Sequence, residues 1–241
     1  MKKALCLIAA MTLVSTWASG VAGASASSAT NLASMSAAQI VNLSLKNARA
    51  IGSCTDTSKG SAAGNTFGST TVSGAVHAQE SNYFNKATGR VILLKGRLFV
   101  KESAALLALQ FTTSDPKWAN RWISVPASNA AYVPLSSGLL FSTMLSQVRP
   151  AGPLRKSKVG TINGVRVVAI SGSANSELGL TKSVATLFVS ANAPFLPVEL
   201  LTGGRSQGVP TSLTVTFSHW GERVVANVPG GAIPITSTDL R

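Results

Sequence analysis

Ser212-Leu213-Thr214-Val215-Thr216-Phe217-Ser218 alternates apolar and hydroxyl side chains without exception, so a strand here buries one face and wets the other. Outward from it, Phe195 to Leu201, Val184 to Val189 and Val224 to Val228 are further β-prone runs. Upstream, Gly160-Thr161-Ile162 and Val165 to Ile170 flank Asn163-Gly164, the strongest short-range hairpin signal. Successive strands joined by short turns, with no helix between them, predict an antiparallel meander. Its apolar faces follow from the period of two: Leu196, Val198 and Leu200 on one strand, with Glu199 pointing the other way, and Leu213, Val215 and Phe217 on the next.

The earlier part of the chain mixes both signals. Thr71, Val72, Ala75, Val76, Tyr83 and Phe84 mark β-prone runs broken by Gly68, Gly74 and Gly89. Val91 to Leu94 and Arg97 to Val100 form a second hairpin about Lys95-Gly96. Helices are predicted over Ser36 to Ile51, capped by Ser36, closed by Gly52 and with Ile40, Leu43, Asn47 and Ile51 on one stripe, and over Ser103 to Gln110. Asp115-Pro116 opens a further turn, and Ser136 to Val148 reads as a third helix whose broad stripe of Leu139, Leu140, Phe141, Met144, Leu145 and Val148 must be buried before Pro150 stops it. The sum is an α+β fold, a large antiparallel sheet with a few helices on one face.

The first residues read as a secretory signal. Lys2 and Lys3 precede an apolar stretch, Ala4 to Ala18, too short to cross ~30 Å of hydrocarbon, and Ala22-Gly23-Ala24 offers the small residues of a cleavage site. The expected divisions are a signal peptide over 1–24, a flexible Ser/Ala-rich leader over 25–36 and one domain over 37–235. No cysteine follows the apolar stretch where lipidation would need one, Cys6 lies too early, and Cys54 then has no internal disulfide partner. The product is expected outside the cytoplasmic membrane, secreted or in the cell envelope.

Charge is lopsided, at a formal +13, or +11 once Lys2 and Lys3 leave. Such a surface draws polyanions, among them an anionic membrane or cell-wall surface. Nucleic acid is not expected, because the protein is exported and no aromatics interleave with its scattered basic residues. Catalytic signals fail in context. Gly204-Arg205-Ser206-Gln207-Gly208 matches the G-x-S-x-G elbow of serine hydrolases, yet a strand follows where the chemistry needs a helix, so it reads as a turn between strands. His77 and His219 lack partners at ligand spacing. The carboxylates Asp56, Glu80, Glu102, Asp115, Glu177, Glu199, Glu222 and Asp239 are spread thinly, and no local rule makes two of them converge. Neither catalytic residues, metal nor cofactor is assigned, and a binding protein is expected.

Taken in order, Trp122-Ile123-Ser124-Val125-Pro126, an apolar helix, Asn163-Gly164-Val165, Pro194-Phe195-Leu196-Pro197-Val198 and Phe217-Ser218-His219-Trp220-Gly221 before Pro229 resemble the actinobacterial LppX/LprG-type lipid-carrier lipoproteins, and more distantly the LolA-type carriers. The resemblance implies a half-barrel wrapped round a few helices, with an apolar cavity for acyl chains and no enzyme activity. Members of that type carry a lipidated cysteine that this chain lacks. The function expected is an exported carrier of a lipid or lipidated molecule; the alternative is a non-enzymatic envelope protein with a filled core. The cavity is expected to be lined by Leu140, Met144, Leu196, Val198, Leu200, Leu213, Val215 and Phe217.

Overall fold

The structure, a computed structural model, describes residues 32–111 and 115–235. The predicted signal peptide, the first part of the leader and Asp239 lie outside them. Twelve strands form one open sheet: β1 (Cys54–Ala62), β2 (Asn65–Ser73), β3 (Ala78–Phe84), β4 (Ala87–Leu94), β5 (Arg97–Glu102), β6 (Ile123–Pro126), β7 (Ala151–Ile162), β8 (Val165–Ser173), β9 (Thr181–Ser190), β10 (Pro197–Ser206), β11 (Val209–Ser218) and the short β12 (Ile233–Pro234). Their order is β12-β6-β5-β4-β3-β2-β1-β11-β10-β9-β8-β7. Every pair is antiparallel except β12 on β6. The sheet is therefore two meanders, β1–β6 and β7–β11, welded where β1 pairs with β11 from Thr55↔Ser218 to Ala62↔Thr211. This is the expected α+β half-barrel.

Both predicted hairpins turn as read: Lys95-Gly96 and Asn163-Gly164 have positive φ at each position (50° and 71°, 48° and 79°), the mirror-image turn that matches strand twist. Gln207-Gly208 does the same between β10 and β11, so the G-x-S-x-G stretch is a hairpin end. Strand β1 was not predicted. Its sequence, Cys-Thr-Asp-Thr-Ser-Lys-Gly-Ser-Ala, contains almost no β-branched aliphatic or aromatic residue, yet it lies at the centre of the sheet. Conversely, Val224 to Val228 is not a strand. Both edges of β11 are already occupied by β1 and β10, so residues 219–232 run as a strap towards β12. Glu222 accepts from Ser53 and Thr55, and the Val225 carbonyl accepts from the Gln79 side-chain amide. Thr55 and Gln79 alternate with Asp56 and Glu80, which puts Glu222 to Val225 of the strap on the outer face.

Four helices lie on the inner face: α1 (Ala37–Ile51), α2 (Ala104–Gln110), α3 (Tyr132–Ser136) and α4 (Phe141–Gln147). A capping box starts α1: the Ser36 hydroxyl accepts from Gln39 N–H, and the Gln39 side chain accepts from Ser36 N–H. Gly52, at φ 85°, closes the helix. Its buried face is Ile40, Val41, Ser44, Leu45 and Ala48, rotated from the predicted stripe, and Asn47 at the margin donates to the Pro194 carbonyl. The leader read over 25–36 is docked from Leu32 onward: Leu32 is buried in the core, and the Lys156 ammonium donates to the carbonyls of Leu32, Ala33 and Met35. The predicted helix over Ser136 to Val148 is two helices with an unwound link. Gly138 weakens the helix there, Leu140 is extended, and Phe141 N–H leaves for the Gly74 carbonyl.

That break divides the core. Leu139 packs with Leu98, Val100, Leu107, Ile123 and Val125 under β4–β6, whereas Phe141, Met144 and Leu145 pack with α1 against Val168, Ile170, Leu187 and Leu200 on β8–β10. Close strand pairing at the junction demands small residues. A Cβ on Gly68 would stand 2.6 Å from the Ser58 carbonyl and 2.8 Å from the Tyr83 ring, whereas one on Gly160 would meet nothing within 4 Å. Thermal melts of Gly68→Ala are expected to show a loss of about 1–3 kcal/mol, with Gly160→Ala close to the parent.

Candidate ligand-binding cleft

Between the two cores, the middle rows of the inner faces of β1, β2 and β3 are polar, with Cys54 and Ala78 towards one end of these strands and Phe67 towards the other. Register lines up Phe217, Asp56, Thr71, Glu80 and Val91 in one cross-strand row, and Val215, Ser58, Ser69, Asn82 and Gly89 in the next, which ends on Glu102. Three carboxylates separated widely in sequence thus meet on adjacent rows. Sequence reading left them unconnected, because it did not identify β1 and the connection exists only through pairing.

Asp56, Glu80 and Glu102 are buried, with relative exposures of 7%, 8% and 1%. Every lysine and arginine among the described residues is exposed, so no cation compensates them. Loss of hydration therefore dominates their acidity. Burial pushes Asp56 up to about 7, against the lowering effect of its own backbone. Burial does the same to Glu102, to about 7, offset by hydrogen bonds from Asn82 and Gln110. Glu80 is raised well above the usual carboxylate range by burial and then by the charge of Asp56, with the Thr71 hydroxyl acting against both and Glu102 adding to the rise. Glu102 Oε1 accepts from Asn82 Nδ2 at 3.1 Å and from Gln110 Nε2 at 3.0 Å. This bridge passes over Gly89, where any Cβ would collide with the Asn82 amide and the Glu102 side chain.

Above this floor opens a cleft of about 150 Å³. Asp56, Ser58, Ser69, Thr71, Glu80 and Gln110 form its polar side. Leu200, Leu213 and Val215 come from β10 and β11, Met144 and Val148 from α4, Leu139 from the unwound link and Leu178 from the turn before β9, making the opposite side apolar. Of the residues read as cavity-lining, Met144, Leu200, Leu213 and Val215 border this cleft. Leu140, Leu196, Val198 and Phe217 do not: Leu140 is half-buried against the β4–β6 core, Leu196 and the buried Phe217 belong to the other core, where Phe217 packs on Trp220, and Val198 sits in an irregularity of register between Pro197 and Glu199.

The remaining polar candidates stand apart from the cleft. Cys54 is buried at the start of β1, where desolvation and then the Asp56 charge push its thiol up. His219 lies 3.1 Å from the Ser218 hydroxyl, and the His77 carbonyl accepts from Gly74 N–H. Among the described residues no group of three His, Cys, Asp or Glu side chains could hold a metal ion.

No family model matches the sequence, and no curated protein matches it. Solved structures do match. LprF from Mycobacterium bovis is 15% identical, with a TM-score of 0.50 over 81% of this chain and 97% of its own. The lipoprotein LppX from Mycobacterium tuberculosis is 16% identical, with a TM-score of 0.52 over 79% of this chain and 98% of its own. The chain has the LppX fold. At that level the resemblance carried by the sequence motifs holds, and the cleft lies between sheet and helices of an LppX-like half-barrel.

Raised carboxyl pKa values fix the pH dependence of stability. Asp56 and Glu102 titrate near 7 when folded, against ordinary values of 3.8 and 4.5, so between about pH 4 and 7 the native chain holds protons that the unfolded chain has released. Stability is greatest at the acid end of this window, falls as pH rises through it and levels off above, by up to about 1.4 kcal/mol per pH unit for each carboxyl. Denaturant titrations across pH 4–8 are expected to show this fall. Glu80→Gln should reduce it and melt higher than the parent at pH 8.

Proposed function

We propose that this protein is an exported carrier that binds a lipid or lipidated molecule between sheet and helices. The observation that carries the reading is the cleft itself: between two well-filled cores lies a gap lined by Leu139, Met144, Val148, Leu178, Leu200, Leu213 and Val215. Its envelope location rests on the signal-like Lys2 to Ala24. The apolar wall can take an alkyl chain.

The size of the cleft favours a second reading. About 150 Å³ is the volume of a cavity that takes one small ring, well short of the ~300–1,000 Å³ of drug-sized ligand sites. An envelope protein that keeps the fold with its core filled, attached to anionic polymers by its exposed basic residues, fits that size. One pair of measurements separates the two. A carrier, purified gently and extracted with organic solvent, yields lipid by mass spectrometry, and Val215→Trp loses that lipid with a nearly unchanged melt. A filled core yields none, and the same substitution costs roughly 1–3 kcal/mol.

A further inference from the structure

The two sides of the cleft differ in a way that bears on what enters it. One side is mostly hydrocarbon, with Ser137 and Gln147 as its neutral polar members. The other presents acceptors without donors to match them: Glu80 Oε1 and Gln110 Oε1 have no hydrogen-bond partner, although Glu80 is more than nine-tenths buried and both residues line the cleft. Behind them, Glu102 Oε2 and Asn82 Oδ1 are also unpartnered acceptors. Of the nearby hydroxyls, Ser58 donates to Ser69 and Thr71 donates to Glu80 Oε2, the other oxygen of that carboxyl. A buried acceptor left without a donor is costly, and a group of carboxylates without a cation is costlier.

We propose that the floor of the cleft, with Asp56 as its anionic group and Glu80 and Gln110 as unpartnered acceptors, recognises a protonated amine at the end of an apolar chain. This rests on the carrier reading and narrows it. An ammonium brings three donors and one positive charge, which the unpartnered acceptors and the uncompensated carboxylates lack. A carboxylate or phosphate head would add acceptors and negative charge to a site that already has both in excess. The alkyl chain runs from the floor along Val215, Leu200 and Met144.

The groups that set the charge here are few. Asp56 and Cys54 lie on β1, Glu80 on β3 and Glu102 on β5, while α2 and α4 bring only the neutral Gln110 and Gln147 towards it. Amine binding is therefore expected to strengthen between pH 5 and pH 8, as Asp56 and Glu102, which titrate near 7, lose protons while an alkylamine keeps its own.

The test compares decylamine, decanol and decanoate on the full chain by titration calorimetry. At pH 8 decylamine is expected to bind at least about tenfold more tightly than decanol, the difference between a charged and a neutral hydrogen bond, with decanoate weakest. The preference should shrink at pH 5. Asp56→Asn with Glu80→Gln, which should fold because it removes buried charge, is expected to abolish the preference for amine over alcohol. Equal binding of amine and alcohol by the parent at both pH values, tighter binding of decanoate, or a preference that survives in the double variant would each overturn the proposal while leaving a lipid carrier standing. Binding of none of the three would remove both.

Discussion

Three carboxyl groups held out of water, side by side and without a cation, are the feature on which the rest of this structure turns. Asp56, Glu80 and Glu102 occupy the part of the sheet where a sandwich of sheet and helix would ordinarily place its largest apolar residues. Because they do not attract hydrocarbon, the helices gather to either side, α1 and α4 over β8–β10 and α2 with the Leu139 link over β4–β6. The gap between is the cleft. Its position follows from what the central strands lack.

The weld between β1 and β11 makes this arrangement possible. The two meanders are each local in sequence, but their junction joins residue 55 to residue 218 and brings the hydroxyl- and acid-bearing strands of one half against the apolar strands of the other. Neither half has both walls of the cleft. Loss of the junction would expose the long inner edge of each meander, the kind of unpaired edge that promotes aggregation. The natural outer edge, β7, is protected by Pro153, Arg155, Lys156 and Lys158, residues that discourage further pairing.

What could be read from the sequence was the part written as local contrast. The alternation of Leu213, Val215 and Phe217, the turns at Lys95-Gly96 and Asn163-Gly164 and the cap at Ser36 are short-range signals, and the elements they mark are present. Strand β1 escaped because Thr55, Asp56, Thr57 and Ser58 offer no apolar period; the pairing partners supply what the strand does not. The broad stripe from Leu139 to Val148 was legible as buried, but its division between two cores depended on Gly138 and on a carbonyl at Gly74, distant in sequence. For the same reason Met144, Leu200, Leu213 and Val215 were identifiable as inward-facing, whereas the polar floor opposite them was not. A carboxylate's neighbours across a sheet are set by register, which no single segment contains.

All lysines and arginines of the described chain are on the outside, and this segregation has a consequence for ionic strength. At physiological salt the Debye length is about 8 Å, so attraction between the basic exterior and an anionic polymer fades as salt is added. The buried carboxyl groups are shielded by protein, so salt screens them less, and their charge is set by protons instead. The molecule therefore carries two electrostatic surfaces that respond to different properties of the same solution: an outer one governed by ionic strength and an inner one governed by pH.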